Sequence, residues 1–593
     1  MPYLPELSEG YQQRTMTEIF GGYNRNLRIG EGEWYDGENL SSRAYPLFAE
    51  REKRSIYHRG VFPISGMIAK DALAWVEGEN LYIGGYPVDG IKLSVDDEPK
   101  QLVGMGAYIC VFPDNVYVNT QNLSDCGSMG AEYETAAEVT FTPCRLDGTP
   151  YEGVPVAESA PPEPANGDMW MDSSADTHVL KQYSASTGMW TDIPTVYVKI
   201  TLNGNEDAGV DKVFARYDGV TLSGAAVTDE DIQGQVAKLN GDIIIQNVGS
   251  NYIIVTGILD HAVTQTTGSV KVERKIPRLQ YVCESGNRLW GCYYGMSDGV
   301  MLNQIFACKL GDFKNWNCFM GIASDSYAVS LGSDGEFTGA ITYLGYPTFF
   351  KENCVHRIYG NMPSSYQVKT NQQRGVQKGS AGSLAILNEI LYYKSATDIC
   401  AYDGSLPTGI SEQMGGVMYR NAVGGAGNGR YMVSMQDMQG AWHMFTYDPQ
   451  RGIWHREDDT HAIGFASWGQ EMYFIDAGDN CVKCVFGTEG TPEGDVSWRA
   501  ESGLIGYEMP DRKYVSRFNL RMKLDGGASV RLAIEYDSDG TWVDQGTVTG
   551  SGTDAFVFPV IPRRCDHFRI RLSGTGGVRI YSMAKILEQG SDM

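Results

Sequence analysis

No run of apolar residues in this chain approaches the roughly 20 that a membrane-spanning helix needs. The opening Met1-Pro2-Tyr3-Leu4-Pro5-Glu6 has neither the basic start nor the apolar stretch of a secretion signal. A membrane segment and a leader are therefore not expected. Basic charge is scarce: 48 Lys+Arg against 73 Asp+Glu leave a formal charge of −25. That balance argues against broad binding to nucleic acid or to anionic membranes, both of which need basic surface. The 12 cysteines are scattered singly, apart from the pair Cys481 and Cys484. With no second CxxC or HxxxH, zinc is not expected there. The flanking Tyr473-Phe474-Ile475 and Val485-Phe486 read as strands, whereas a redox CxxC opens a helix. Scattered cysteines fit small core residues in a reduced compartment better than a disulfide framework.

Catalytic motifs are missing as well. None of the 8 histidines forms an HExxH, and no Ser sits in GxSxG. Gly424-Gly425-Ala426-Gly427-Asn428-Gly429 is not a dinucleotide fingerprint, and it precedes a strand rather than a helix. Asp537-Ser538-Asp539-Gly540 lacks the distal Glu of a calcium loop and reads as a hairpin turn. The expectation is no catalytic residue, no metal and no cofactor, and a chain that is not an enzyme.

What the chain has in quantity is turn formers. Gly 71 and Pro 23 make up about one residue in six of the 593, as in proteins built of many short strands. The hydrophobic share is 42% and the charged share 20%, which suits a folded chain of several domains. Units of three or four short strands begin near Arg288, Gly339, Leu384, Arg430 and Ile463, and two short strands with a tight turn fall earlier, around Ala72–Gly85. An irregular period of roughly 40–50 residues is the signature of propeller blades. Tyr402-Asp403-Gly404 and Tyr447-Asp448-Pro449 fall at matching blade ends, where the Asp caps a turn and the aromatic packs between blades.

Residues 121–275 interrupt this repeat. Between 121 and 176 there are 11 acidic residues and one basic one, Arg145. Pro161-Pro162-Glu163-Pro164 reads as a stiff linker, Gly167–Asp172 with Tyr183 and Trp190 as a small hairpin module, and Asp229–Leu239 as a short helix. In the last hundred residues Phe518, Leu520, Met522 and Leu524 alternate with Arg517, Asn519, Arg521 and Lys523, and Phe568, Ile570 and Leu572 with Arg569 and Arg571. Period-two patterning means half-buried strands. The expected fold is all-β: an extended arm over 1–60, a β-propeller over 61–120 and 276–490, an inserted small β-rich domain over 121–275, and an antiparallel β-sandwich over 491–593. The concentrated cations, Arg51, Lys53 and Arg54 of the arm and Arg517, Arg521, Arg569 and Arg571 of the sandwich, are candidate subunit-docking residues.

Asn39-Leu40-Ser41-Ser42, Tyr45-Pro46-Leu47 and Arg51 to Arg54 resemble the N-terminal segment of structural proteins of tailed bacteriophages. Ile390-Leu391-Tyr392-Tyr393 with Tyr402-Asp403-Gly404 and Ile410-Ser411 resembles the propeller section of their tail hub or nozzle proteins, and Pro562 to Leu572 their C-terminal segment. The resemblance implies a virion protein made in the bacterial host cytoplasm and repeated in a ring, a hexamer being the specific expectation. Tail adaptors and fibres would be its neighbours. It would retain the packaged genome while DNA passes without specific binding. The alternative is a receptor- or glycan-binding tail-tip protein, with the insertion presenting aromatic platforms.

Overall fold

The computed structural model describes residues 11–95, 99–135, 138–202, 208–297 and 299–590; the first ten residues of the expected arm lie outside these. Strand accounts for 51% of the chain and helix for 4%, and the fold is of the β-propeller type. Two compact units divide it: Met1–Leu102 with Gly335–Arg357 and Lys369–Met593, and Val103–Asp334 with Ile358–Val368.

Blades of four antiparallel strands lie at 64–87, 339–372, 385–409 and 419–456. A further blade is made of Ala462–Trp468, Glu471–Asp476 and Cys481–Cys484. Its fourth strand comes from the far end of the chain: Ser55–Arg59 pairs with Cys481–Cys484, Ser55 opposite Cys484 and Arg59 opposite Cys481. Sequence chemistry places the turns. Leu344-Gly345, Asn388-Glu389 and Asn428-Gly429 all have positive φ. Each joins directly paired residues, Tyr343 with Tyr346, Leu387 with Ile390 and Gly427 with Arg430. Two consecutive left-handed residues define the hairpin turn whose twist matches that of the strands. The glycine-rich run 424–429 is thus a strand ending in an Asn-Gly turn.

First strands of successive blades pack on one another, and glycine permits this closeness. A Cβ on Gly425 would lie 2.4 Å from the Phe465 Cβ. Gly425→Ala is expected to cost ~1–3 kcal/mol through overpacking, read as a lowered melting temperature; an unchanged melt would show that these strands have room. Between blades, Tyr343 donates to the Tyr402 carbonyl at 2.8 Å, and Tyr392 stacks on Tyr431 at 5.2 Å. Asp403 and Asp448 accept from the backbone N–H of Ser405 and Gln450, capping their turns.

The C-terminal part is a sandwich of two five-stranded sheets. The alternation holds: Phe518, Leu520, Met522, Leu524, Val530, Leu532, Ile534, Phe568, Ile570 and Leu572 are all within 1% of full burial and form one core. The described part of the segment expected as an extended arm, from residue 11 on, is paired within this sandwich. Gln12–Thr17 pairs with Val578–Gln589 at the edge of one sheet, and Trp34–Glu38 pairs with Ser497–Ser502 at the edge of the other. Phe20, Trp34 and Phe48 enter the same core. The physical reason is edge chemistry: both sheets would otherwise expose a row of unpaired N–H and C=O groups.

The second unit holds blade-type sheets at 101–128 and 281–330. Between them in sequence, an eight-stranded sheet runs from Ala131–Thr135 to Val270–Arg274 around its own apolar core, with a short helix at Gln233–Ala237. Asn122–Ser128 belongs to the blade before the insertion. A four-stranded module (Val156–Ala157, Met169–Asp172, Val179–Ser184, Met189–Asp192) branches from this domain.

Candidate functional site

The residues singled out from the sequence fall in three places. Arg51 and Arg54 are 7% and 4% exposed, and their partners are internal. Arg51 donates to Asn39 Oδ1 at 2.6 Å and to Glu493 at 2.5 Å. Arg54 donates to Glu457 at 2.5 Å, to Asp458 at 2.7 Å and to Thr460 at 3.2 Å. Its backbone N–H donates to Glu493 at 2.6 Å. Burial alone would raise the carboxyl of Asp458; Arg54 outweighs it, aided by Thr460 and Arg51, and holds it at about 2. Burial opposes the charge on Arg54, yet Asp458 and Glu457 hold its pKa above the usual arginine range. This seam binds the segment that enters the last blade to that blade's own loops. Docking on a neighbour is therefore corrected for Arg51 and Arg54, which are consumed within the fold. Lys53 is exposed and pairs with Asp495 at 2.8 Å, a surface pair of small energetic weight.

The sandwich arginines do not share one face. Arg569 and Arg571 lie on the sheet containing Phe568–Thr575, and Arg517 and Arg521 on the sheet containing Lys513–Leu524. Their outer surfaces look in opposite directions, since the apolar faces of the two sheets meet in the core. Arg571 pairs with Glu501 at 2.8 Å and covers the Trp542 ring at 3.9 Å; Arg569 covers the Tyr35 ring at 4.9 Å. Both are engaged locally. Arg517 and Arg521 are exposed with no carboxylate partner among the described residues. Lys523 stands directly opposite Arg579, and both are exposed. Like charges opposed across strands repel, but Lys523 and Arg579 also line a cavity with Glu50, Glu52, Asp495 and Asp525, so the cations of this outer face that no carboxylate approaches among the described residues are Arg517 and Arg521. Arg579 was not singled out from the sequence, although Val578-Arg579-Ile580 carries the same alternation.

Other motifs resolve into structure. Eleven of the twelve cysteines are buried. Cys481 and Cys484 lie on one strand three residues apart, so their side chains leave on opposite faces and cannot converge on a metal. Burial raises the Cys484 thiol to about 11. Among the described residues no cluster of His, Cys, Asp and Glu could hold a metal ion.

The third place is a groove in the second unit. Two cavities of about 420 and 230 Å³ share Pro150, Tyr151, Gly153 and Val154. The first is also lined by Arg145, Glu152, Asp168 and Trp190, the second by Asp260 and His261. Trp190 meets the edge of Trp170 at 5.5 Å and leans on Tyr183 at 5.4 Å. Trp170 is itself tied to the Ala157 carbonyl at 2.9 Å. Sequence reading found this hairpin module but not that Tyr151 and Arg145, from the preceding loop, join it.

No family model matches the chain, and no curated protein matches it. Solved structures that resemble it include an exo-β-1,3-galactanase from Phanerochaete chrysosporium, at 9% identity and a TM-score of 0.22, covering 51% of this chain and 94% of the galactanase. The extracellular domain of a hybrid two-component system from B. thetaiotaomicron matches at 9% identity and a TM-score of 0.24, with 94% and 98% covered. A sialidase from Trypanosoma rangeli matches at 8% identity and a TM-score of 0.17, with 91% and 97% covered. These likenesses are of the propeller type of fold. The expectation that the chain is not an enzyme is corrected: a galactanase and a sialidase stand among the solved structures that resemble it, and the absence of a recognised motif from the sequence excludes no activity.

Proposed function

We propose that the chain is a structural subunit of a bacteriophage tail, repeated around the DNA path and helping to retain the packaged genome. The observation that carries this reading is the pair of exposed arginines Arg517 and Arg521 on the outer face of one sandwich sheet, on a chain of formal charge −25. Copies of an acidic protein repel one another unless each offers a surface of opposite sign. Large apolar side chains left in solvent support the same reading: Leu27 is 98% exposed, Val61 83% and Leu406 70%. The resemblance of the N-terminal, propeller and C-terminal segments to tail hub and nozzle proteins supplies the finer identity. The acidic remainder suits a conduit through which duplex DNA slides, with adaptor and fibre proteins as neighbours.

The test is charge reversal on the basic face. Arg517→Glu with Arg521→Glu replaces outward side chains that no described residue pairs with, so the melting temperature of the purified chain should stay within a few degrees. Incorporation into particles should fall at least tenfold, with partial recovery at high salt, where the new repulsion between acidic surfaces is screened. Normal incorporation of the double variant would remove the basic face from the assembly.

A further inference from the structure

We propose that the groove of the inserted domain is a binding site for a neutral oligosaccharide, a role beyond assembly that does not depend on it. The first reason is the platform. Trp190 is fixed by Trp170 and Tyr183, and Tyr151 lines both cavities where they meet. Rigid aromatic faces suit the C–H faces of sugar rings, and two such faces along one groove suit more than one ring. Little side-chain entropy is lost on binding, since the aromatics are already held and the walls include Pro150, Pro155 and Pro161.

The second reason is the polar lining. Glu152 and Asp168 are exposed acceptors at one end, with Arg145 as a donor 5.8 Å from the Tyr151 ring centre. Asp168 gives only one oxygen to the fold, accepting from the Ala165 N–H at 2.8 Å. At the other end Asp260 is bound to His178 at 2.7 Å, and His261 is half exposed. Hydroxyls both donate and accept, so a mixture of carboxylates and a guanidinium matches them. Two carboxylates against one guanidinium give the Trp190 end a net negative charge. That repels sialic or uronic acids, phosphates and acidic peptides, and leaves neutral sugars as the class that fits. A proline-rich peptide also stacks on aromatics, but the charged side chains among these would face no partner on it.

The experiment uses the full chain on a printed array of neutral and acidic glycans, followed by titration of the strongest neutral ligand. The expected result is preference for neutral over sialylated or uronic glycans. Trp190→Ala and Tyr151→Ala should each weaken binding at least tenfold, with Trp190→Phe largely restoring it. Asp168→Asn and Arg145→Ala, at exposed side chains, should weaken binding several-fold without changing the melting temperature, so the site is tested even if Trp190→Ala disturbs the module. Absence of binding up to millimolar glycan, or binding unaffected by all four loss variants, would overturn the proposal. Binding of a polyproline decamer that depends on Trp190, with no glycan binding, would overturn it in favour of a peptide site.

Discussion

Replacing Arg54 by Met should cost the first unit ~3–5 kcal/mol, because it removes one partner of a buried ionic network and leaves the others without compensation. Glu457 is 4% exposed and accepts from Arg54 at 2.5 Å, and Asp458 accepts from it at 2.7 Å. Both would have to ionise in a poorly solvated site or take up a proton. The loss should be local as well as global. Arg54 immediately precedes the strand Ser55–Arg59 that completes the last blade, so proteolysis near residue 55 should become fast in the variant and stay slow in the parent. Denaturant unfolding followed by fluorescence measures the first effect and timed proteolysis the second. A loss below about 1 kcal/mol, the range of exposed pairs, would mean that water reaches the seam.

Acid should weaken the fold well above the pH at which carboxylates protonate. His356 and His455 are 1% and 6% exposed. Burial, with a smaller contribution from Lys351, lowers His356 to about 4. Burial, with Arg430 adding and Asp448 opposing, lowers His455 to about 4. Each is neutral in the fold but binds a proton near pH 6.5 once unfolded. The unfolded chain therefore holds more protons between those values. Stability is complete above about 6.5 and falls as the pH drops toward 4. A shift of this size corresponds to about 3 kcal/mol per histidine. His356 accepts or donates with Thr370 at 2.8 Å, so His356→Gln keeps a polar partner there; the Nδ1 atom of His455 has no hydrogen-bond partner among the described residues, so His455→Phe is the matching variant. Melting curves from pH 7.5 to 4.5 should slope steeply in the parent and less in each variant. Equal slopes in all three would show that these rings titrate alike folded and unfolded. Below pH 4 a further loss is expected as Asp458, held at about 2, takes up its proton.

Local regularity was legible in the sequence, and long-range pairing was not. The alternation from Arg517 to Leu524 identified a half-buried strand because period two is a property of eight consecutive residues. Asp537-Ser538-Asp539-Gly540 marked a turn for the same reason. The N-terminal segment showed no such signal. Its strands are short and lie at sheet edges, with partners such as Glu588 for Gln12 and Cys484 for Ser55, hundreds of residues away. The same distance hid the fate of Arg51 and Arg54: a basic cluster looks solvated until Glu457, Asp458 and Glu493 are brought around it. For the groove, the aromatics of Met169–Asp172 and Met189–Asp192 were visible as a hairpin, but Tyr151 joins them only in three dimensions. The alternation did mark Arg517 and Arg521 as outward, but did not show that Arg569 and Arg571 face the other way.

The proposal that the chain retains DNA as part of a tail predicts that its gene belongs to a phage genome, and it is tested most directly by deleting that gene and comparing encapsidated DNA with adsorption to host cells. The account predicts particles that fill with DNA and then lose it, or that never complete their tails, with normal filling and retention restored when the chain is supplied from a plasmid. Particles without the chain that keep their full genome on storage would contradict it, whether or not they still adsorb.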